Sequence, residues 1–358
     1  MPQPWIPEAP QLPGPLHFFL ETRRTRVGGG HGYDSSAHCI AESLRHFKRP
    51  YSSQMAEPHV PALDNELRLR LRRRYGNEID AWLDELPPVL LALGERWAVE
   101  YESLIQRGTM SVVVRCKDGA GRAAVLKVCP DLTRLSNEAR ALAWWRTTHV
   151  PAVFAVDDAI GALLIEAIEP GTPLVELAAY PGTESVVSLV TGLQSQSSAR
   201  QSFRPVGEHI THLFESSRRL YEWKPKLVDL IPPDVYERGR KLAMRLAENA
   251  PRTVLLHGDL TAVNILDGGT DRGLVAIDPA PCLGDPAFDV VDLVFWLAHD
   301  AATIELRAEQ LALGIGADAG RVLAWCSAFA AMVALEIAEA SDVPRAELEP
   351  LLALASSA

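Results

Sequence analysis

The stretch His257-Gly258-Asp259-Leu260-Thr261-Ala262-Val263-Asn264-Ile265-Leu266, followed by Val275-Ala276-Ile277-Asp278-Pro279, decides the fold of this chain. It places two carboxylates, Asp259 and Asp278, and the amide of Asn264 on short loops between apolar segments that are typical of strands. Asn264 is the fifth residue after Asp259. We therefore expect these three polar side chains to meet at one cleft.

This set of side chains is typical of phosphoryl transfer from a nucleotide. The kinase catalytic loop has the pattern H-x-D-x-x-x-x-N, in which the aspartate orients the accepting hydroxyl. Asp259 is the candidate for that role, because the apolar strand Thr253-Val254-Leu255-Leu256 before it holds it rigidly. Asn264 and Asp278 are candidate ligands of Mg2+, which prefers oxygen donors. A turn-forming role for each is the alternative, and the matching spacing of all three counts against it.

A lysine stands inside an apolar strand of the N-terminal half. Residues 111–116 and 123–129 are short apolar segments separated by a turn cluster, which predicts a β-hairpin. Lys127 lies in the second strand, where we expect it to contact the nucleotide phosphates and to pair with Glu138 of the following helix. The alternatives are an exposed lysine and pairing with Asp131, which is better placed to cap that helix.

The turn at residues 106–111 lies where a loop covering the phosphates is needed. It has one glycine, Gly108, and we expect its backbone N–H groups and the hydroxyls of Thr109 and Ser111 to approach the phosphates. The chain has no G-x-x-x-x-G-K-[ST], which excludes a P-loop mechanism. It also lacks G-x-G-x-x-G after a strand, so a dinucleotide-binding fold has no support.

An acidic segment follows the second aspartate loop. Asp285 suits a helix N-cap and Pro286 the first helical position, so a helix is predicted to begin there. Asp289 and Asp292 are one helical turn apart. Asp289 and Asp292 either steady the catalytic loop or meet a cationic substrate, and both interpretations stay open. Asp285 is also a candidate for contact with the substrate.

Three sections follow one another along the chain. Residues 1–58 are broken by proline and glycine and show no period, which predicts a flexible extension. Residues 59–168 contain the hairpin and further short strands, and are expected to form a small sheet-rich N-lobe. Within them Asp64 or Asn65 is expected to cap a helix that runs to Tyr75, with Gly76 as its stop. Pro87-Pro88 is expected to break the next helical stretch. Residues 169–358 are predicted to form a mainly helical C-lobe that holds the catalytic loop.

Composition narrows the class of protein. The 358 residues are 47% hydrophobic and carry a net charge of −11, which argues against a nucleic-acid binder and suits a cationic small substrate. Five scattered cysteines favour reduced thiols in the cytosol. The N-terminus lacks the pattern of a signal peptide. The most apolar run, residues 322–337, is about 16 residues long and too short for a bilayer, so we expect a buried helix and no membrane.

Taken together, these residues resemble the aminoglycoside phosphotransferase family, which has the protein-kinase-like fold, over residues 62–340. Ala276-Ile277-Asp278-Pro279-Ala280-Pro281 with Gly284-Asp285-Pro286-Ala287-Phe288-Asp289 is most similar to the branch of streptomycin 6-phosphotransferases and hydroxyurea-resistance kinases. Arg72-Arg73-Arg74-Tyr75-Gly76 is also similar to that branch. The resemblance implies a bilobal α+β fold, ATP and magnesium, Asp259 as catalytic aspartate, and adenine against the connection at Glu166, Ala167 and Ile168.

The predicted activity is ATP- and Mg2+-dependent transfer of the γ-phosphate to a hydroxyl of an aminoglycoside-like, cationic acceptor, with streptomycin as one candidate. The alternatives are a nucleotide-binding regulator without catalysis, and a kinase for another amino-alcohol or sugar. A protein kinase is disfavoured, because the short stretch from Asp278 to Gly284 leaves little room for an activation loop. Many relatives carry His where Thr261 stands, a difference that shapes the loop and leaves the acceptor open. We expect a cytoplasmic enzyme, and the oligomeric state stays open.

Overall fold

The computed structural model describes residues 60–108, 110–195, 203–340 and 344–358. The predicted extension at residues 1–58 and the candidate phosphate contact Thr109 lie outside these residues. Two clusters of buried apolar side chains organise the described part, one between the first helices and the sheet and a larger one among the C-terminal helices. This is the bilobal α+β architecture that the sequence predicts.

Two helices open the N-lobe, α1 (Asn65–Tyr75) and α2 (Ile79–Trp97). Asp64 caps α1 by accepting the Leu67 backbone N–H at 2.9 Å, and Gly76 ends the helix with φ 85°. The predicted break at Pro87-Pro88 was wrong, because both prolines lie inside α2. Burial of one complete apolar face of α2 against the sheet outweighs the backbone hydrogen bonds that two prolines cannot donate.

A five-stranded antiparallel sheet forms the rest of the N-lobe, in the order β1-β2-β3-β5-β4. Alternation along β3 buries Ala124, Leu126 and Val128 against α2, so Lys127 faces the opposite side, towards α3. The elements are β1 (Glu100–Leu104), β2 (Val112–Lys117), β3 (Ala123–Val128), α3 (Leu132–Trp144), β4 (Val153–Asp157) and β5 (Ala162–Glu166).

The C-lobe is mainly helical and holds two small sheets, one of β6, β8 and β9 and one of β7 and β10. These sheets carry the two aspartate loops at their ends. The elements are β6 (Thr172–Pro173), α4 (Thr183–Gln194), α5 (Val206–Arg218), α6 (Leu220–Trp223), α7 (Leu227–Leu230), α8 (Pro233–Glu248), β7 (Val254–Leu256), β8 (Ile265–Asp267), β9 (Leu274–Ala276), β10 (Cys282–Gly284), α9 (Val291–Phe295), α10 (Ala301–Ile315), α11 (Ala319–Ala340) and α12 (Arg345–Ser356).

The helix predicted to begin at Asp285 begins later, since residues 286–290 form turns and α9 starts at Val291. Asp285 is 1% exposed and its carboxylate accepts the Trp325 Nε1–H at 2.7 Å. It also pairs with Arg321 and accepts the Ala287 backbone N–H. Contacts with α11 therefore determine the place of Asp285, and they favour a structural role for it over the contact with substrate that the sequence also allowed.

Helix α11 contains the apolar run for which a buried helix was predicted, and at 22 residues it is longer than that run. Within the described ranges it is also the helix whose length and apolar composition match those of a membrane span. Its most apolar window is 72% buried inside the protein, against α8, α12 and their neighbours. The burial agrees with the prediction of a core helix of the C-lobe.

Candidate active site

The loop between β7 and β8 carries Asp259 and Asn264. Asp259 is 7% exposed, and the Asn264 side-chain amide donates from Nδ2 to Asp259 Oδ2 at 2.8 Å and to its backbone oxygen at 3.0 Å. These bonds use the nitrogen of Asn264, and no hydrogen bond among the described residues uses its Oδ1. Burial, which outweighs the nearby positive charge of Arg134, raises the pKa of Asp259 to about 7.

Lys127 connects the N-lobe to the second aspartate loop. Its Nζ donates to Glu138 Oε1 at 2.6 Å and also contacts Asp278. Lys127 and Glu138 are 4% and 1% exposed, so this ion pair lies in the interior. Asp131 caps α3 by accepting the Arg134 backbone N–H. The structure therefore contains the Lys127–Glu138 pair and not the competing pair with Asp131.

Asp278 follows β9 with φ 58°, in the left-handed region that non-glycine residues seldom adopt. Burial opposes ionisation of this carboxyl, but the Lys127 ammonium outweighs the burial and lowers the pKa of Asp278. The charge of Asp278 also acts on Asp259. The two aspartate loops and the lysine thus share one site between the lobes.

Asp289 holds the catalytic loop. Its carboxylate accepts the backbone N–H groups of His257 at 2.7 Å and Gly258 at 2.9 Å. Gly258 has φ 78°, and a Cβ there would lie 2.2 Å from the Ala280 oxygen, so the loop needs glycine at this point. Of the two interpretations of Asp289, these hydrogen bonds favour steadying the loop.

His257 and His209 add backbone contacts around the same loop. His257 Nε2 lies 3.0 Å from the Ile277 oxygen, so this side chain links the two aspartate loops. His209 Nε2 lies 2.7 Å from the Gly258 oxygen. Burial lowers the pKa of His209 to about 3, so a neutral imidazole donates this bond. Sequence reasoning missed His209, because its helix α5 is far from the motif along the chain.

Asp292 differs from Asp289 in that its carboxylate does not bind the catalytic loop. It is half-buried on α9, and within the described ranges no hydrogen bond or ion pair holds its carboxylate. Burial, together with the charges of Asp259 and Glu336, raises its pKa well above the usual value. Glu336 of α11 is 5% exposed, and its Oε2 has no hydrogen-bond partner. Asp292 and Glu336 together form what we call the acidic side of the site. The sequence identified Asp292 as a candidate residue and missed Glu336.

The sequence carries weak signals for two residues that the sequence analysis missed, Glu336 and Arg134. Glu336 is an acid inside an apolar helix, a position where acids are rare unless paired. Arg134 precedes Glu138 by one helical turn, so both lie on one face of α3. The half-buried Arg134 interacts with the charges of Glu138, Asp278 and Asp259.

The connection between the lobes differs in detail from its expected role. The Glu166 carboxylate pairs with Arg272 at 2.6 Å and accepts the Ala152 backbone N–H at 3.0 Å. Ile168 is 7% exposed. A cavity of about 440 Å³ beside the connection is lined in part by Glu166 and Ala167. The Glu166 carboxylate is bonded to Arg272 of the β8–β9 hairpin, and the backbone N–H groups of Glu166 and Ala167 donate to the Ala152 and Ala123 oxygens, so these groups of the connection are already engaged.

Residues 105–108 and 110–111 are the described part of the loop at 105–111, and Arg107 of this loop pairs with Glu176 beyond the connection. A Cβ on Gly108 would lie 3.0 Å from the Ser111 oxygen, so this turn is tight. Ser111 is 5% exposed and its hydroxyl interacts with the Cys129 thiol. The Ser111 hydroxyl, which the sequence analysis expected near the phosphates, is therefore engaged inside the N-lobe.

The variant Glu336→Gln tests whether Glu336 is protonated in the folded protein. Burial raises the pKa of Glu336 well above its usual value, so the folded protein holds a proton that the unfolded chain has already lost. The free energy of unfolding of the parent therefore falls with rising pH in this range, whereas the Gln variant does not titrate. We expect the two to be similarly stable near about pH 4 and the variant to gain relative stability towards about pH 8. Urea denaturation at a series of pH values measures this, and a pH-independent difference contradicts it.

Comparison with known proteins places this site in a family. Residues 96–341 match the family of aminoglycoside/hydroxyurea antibiotic resistance kinases. Streptomycin 6-kinase of Streptomyces griseus is 26% identical over 282 residues, which cover 75% of this chain and 87% of that protein. Hydroxyurea phosphotransferase of Kitasatospora aureofaciens is 28% identical over 270 residues, covering 74% and 76%. Streptomycin 3''-kinase of Klebsiella pneumoniae is 30% identical over 203 residues, covering 56% and 70%.

The matched region begins just before β1 and ends at the close of α11, so it contains the sheet of the N-lobe, the C-lobe up to α11 and the site residues described above. It spans well over half of the chain. The chain therefore belongs to the aminoglycoside/hydroxyurea antibiotic resistance kinase family, and is a small-molecule kinase of the protein-kinase-like fold that phosphorylates an alcohol group.

Proposed function

We propose that this enzyme uses ATP and Mg2+ to phosphorylate a hydroxyl of an aminoglycoside-like acceptor, with streptomycin as the first candidate. In this proposal residues 59–168 bind the nucleotide, and residues 169–358 supply the catalytic loop and the acceptor site. The observation that supports it best is the contact of Lys127 with both Glu138 and Asp278, beside the loop in which Asn264 holds Asp259.

The side chains at the cleft fit magnesium as a partner of bound phosphates. Asn264 has an uncommitted Oδ1, and Asp278 has a second carboxylate oxygen besides the one that contacts Lys127. The described ranges contain no cluster of three or more His, Cys, Asp or Glu side chains suited to a metal. Two oxygen ligands completed by phosphates and water are the usual arrangement for Mg2+, which neutralises phosphate charge when bound.

In the transfer step, the acceptor oxygen forms a bond to the γ-phosphorus while the bond from that phosphorus to the bridging oxygen of ATP breaks. ADP leaves with the electron pair of the broken bond. Asp259 orients the acceptor hydroxyl and takes its proton, for which a carboxyl with a pKa near neutrality is suited. Lys127 contacts the phosphates, and Glu138 holds the ammonium in place.

A cationic acceptor fits the acidic side of the site. Asp292 interacts with the charges of both Asp259 and Glu336, and in the described ranges neither the Asp292 nor the Glu336 carboxylate has an ion-pair partner within 4.0 Å. A bound guanidinium or ammonium group would favour their ionised forms. The relatives named for streptomycin support the same class of acceptor. The four buried free cysteines of the described ranges and the use of ATP support a cytoplasmic location.

An acceptor screen tests the proposal. Purified protein with Mg·ATP is offered streptomycin, other aminoglycosides, amino-alcohols and sugars, and phosphorylated products are identified by mass spectrometry. Product with streptomycin or another aminoglycoside supports the proposal. Product only with a simple amino-alcohol or sugar identifies the alternative kinase. ATP binding without any product supports a nucleotide-binding regulator instead.

Asp292→Asn tests the cationic acceptor directly. Loss of one charged partner of a hydrogen bond weakens binding by roughly 10–100-fold, so we expect the KM for streptomycin to rise by about that factor. The KM for ATP should stay close to that of the parent. Asp229→Asn, an exposed acid of α7, is the control for the loss of one negative charge. An unchanged KM for streptomycin in the Asp292 variant contradicts the assignment.

A further inference from the structure

Helix α1 contacts the loop at residues 105–111 through polar side chains, although it lies upstream of the region that matches the family. Arg70 Nε donates to the Gly108 oxygen at 3.2 Å, and Arg70 Nη1 donates to Gln106 Oε1 at 2.9 Å. The Tyr75 hydroxyl donates to the Met110 oxygen at 2.9 Å. Two carbonyls of the loop are therefore turned towards α1.

Further contacts fix the loop against the rest of the N-lobe. Gln106 Nε2 donates to Asp64 Oδ2, the N-cap of α1, at 2.6 Å. The Cys129 thiol at the end of β3 donates to the Met110 oxygen at 3.3 Å. Leu67 and Leu71 are buried and anchor α1 on α2 and the sheet. The loop is thus bonded to a helix that is itself packed on the N-lobe core.

The direction of these carbonyls bears on phosphate binding. A carbonyl oxygen repels an anionic phosphate, whereas a backbone N–H attracts one. Arg70 and Tyr75 hold the Gly108 and Met110 oxygens towards α1, which keeps the negative ends of these peptide dipoles bonded to donors. The guanidinium of Arg70, 14% exposed, also brings a positive charge behind the loop.

We propose that α1 is a brace that sets the affinity of the enzyme for nucleotide phosphates, with Arg70 and Tyr75 as positioning residues for the loop at 105–111. The inference rests on the proposed function, because it takes this loop to cover the phosphates of ATP. It assigns a task to a helix that the sequence analysis linked to no part of the site.

Two variants and two matched controls test the brace. Tyr75→Phe removes one hydroxyl donor to the loop, and Tyr221→Phe removes a similar bond, to the Ile231 oxygen at 2.8 Å, in the C-lobe. Arg70→Gln removes the guanidinium behind the loop, and Arg72→Gln removes one of the same helix that pairs with Asp80 instead. Calorimetry measures binding of Mg·ATP and of adenosine to each protein. Loss of one hydrogen bond of this kind corresponds to a change of about 5-fold.

We expect each loop variant to bind Mg·ATP about 5-fold or more weakly, with adenosine affinity and both controls close to the parent. Hydrogen exchange at residues 105–111 should become faster in the two loop variants and stay unchanged in the controls. Parental ATP affinity in both loop variants overturns the proposal. So does an equal loss for ATP and adenosine, which indicates general destabilisation.

The Arg70→Lys variant keeps the positive charge but lacks the Nε–H. Its affinity for Mg·ATP should lie between those of the parent and Arg70→Gln. It also provides a measurement if Arg70→Gln does not fold. Failure of the proposed function is seen separately, since ATP binding needs no acceptor. A parent that binds Mg·ATP but phosphorylates no acceptor contradicts the proposed function, while the ratio of ATP to adenosine affinity still decides for or against the brace.

Discussion

Asp259→Asn is expected to lower phosphate transfer by about 10²–10⁴-fold, the usual contribution of a positioned general base. An asparagine oxygen can still accept the Asn264 amide at the position where Asp259 Oδ2 now accepts it at 2.8 Å, so the loop should keep its shape. What is lost is the group that takes the hydroxyl proton. ATP affinity should therefore stay close to that of the parent. Single-turnover transfer to the acceptor found by the screen and calorimetry with Mg·ATP measure the two quantities.

Asp271→Asn is a suitable control for this variant, because Asp271 is an exposed acid in the β8–β9 turn. It should transfer phosphate at the parental rate. Wild-type turnover in the Asp259 variant would show that the role is misassigned. Loss of ATP binding together with turnover would show that Asp259 acts on the fold of the loop and not on the proton.

Asp278→Ala is expected to weaken magnesium-dependent nucleotide binding by roughly 10–100-fold, because it removes a charged oxygen ligand from the cleft. It also frees Lys127 from one of its two carboxylate partners. The measurement is ATP affinity as a function of Mg2+ concentration. The parent should bind ATP more tightly as Mg2+ rises, and the variant should respond much less.

Asp278→Asn separates the ligand effect from backbone strain. Asparagine tolerates the left-handed conformation better than alanine, and Asp278 has φ 58°. If the loss in the Ala variant came from strain, the Asn variant would recover it. Equal magnesium dependence in the parent and both variants would rule out Asp278 as a ligand.

Local sequence signals predicted those parts of the molecule that depend on near neighbours along the chain. Asp64 and Gly76 end α1 where they were expected to, because a carboxylate cap and a glycine with positive φ satisfy the helix ends within the same turn. The hairpin strands β2 and β3 follow from their apolar residues and the turn between them. Lys127 and Glu138 meet because a strand and the helix after it pack side by side.

The wrong predictions share a physical cause. Pro87-Pro88 lies inside α2, because packing on the sheet stabilises this helix more than the prolines destabilise it. The helix expected at Asp285 starts at Val291, because Arg321 and Trp325 of α11 bind the Asp285 carboxylate. In both cases a partner that is distant in sequence outweighs a local preference.

The sequence by itself determined the family of folds and the set of chemical groups: the spacing of Asp259, Asn264 and Asp278, and a lysine in a strand upstream. Only the tertiary structure decided which of the acidic side chains bind groups of the protein itself and which remain available to a ligand. It places Asp289 under the backbone of the catalytic loop, and among the described residues it leaves the carboxylates of Asp292 and Glu336 without an ion-pair partner on the acidic side. Spacing along the chain is enough to specify a loop, whereas the protonation and pairing of a buried acid depend on residues that only folding brings near.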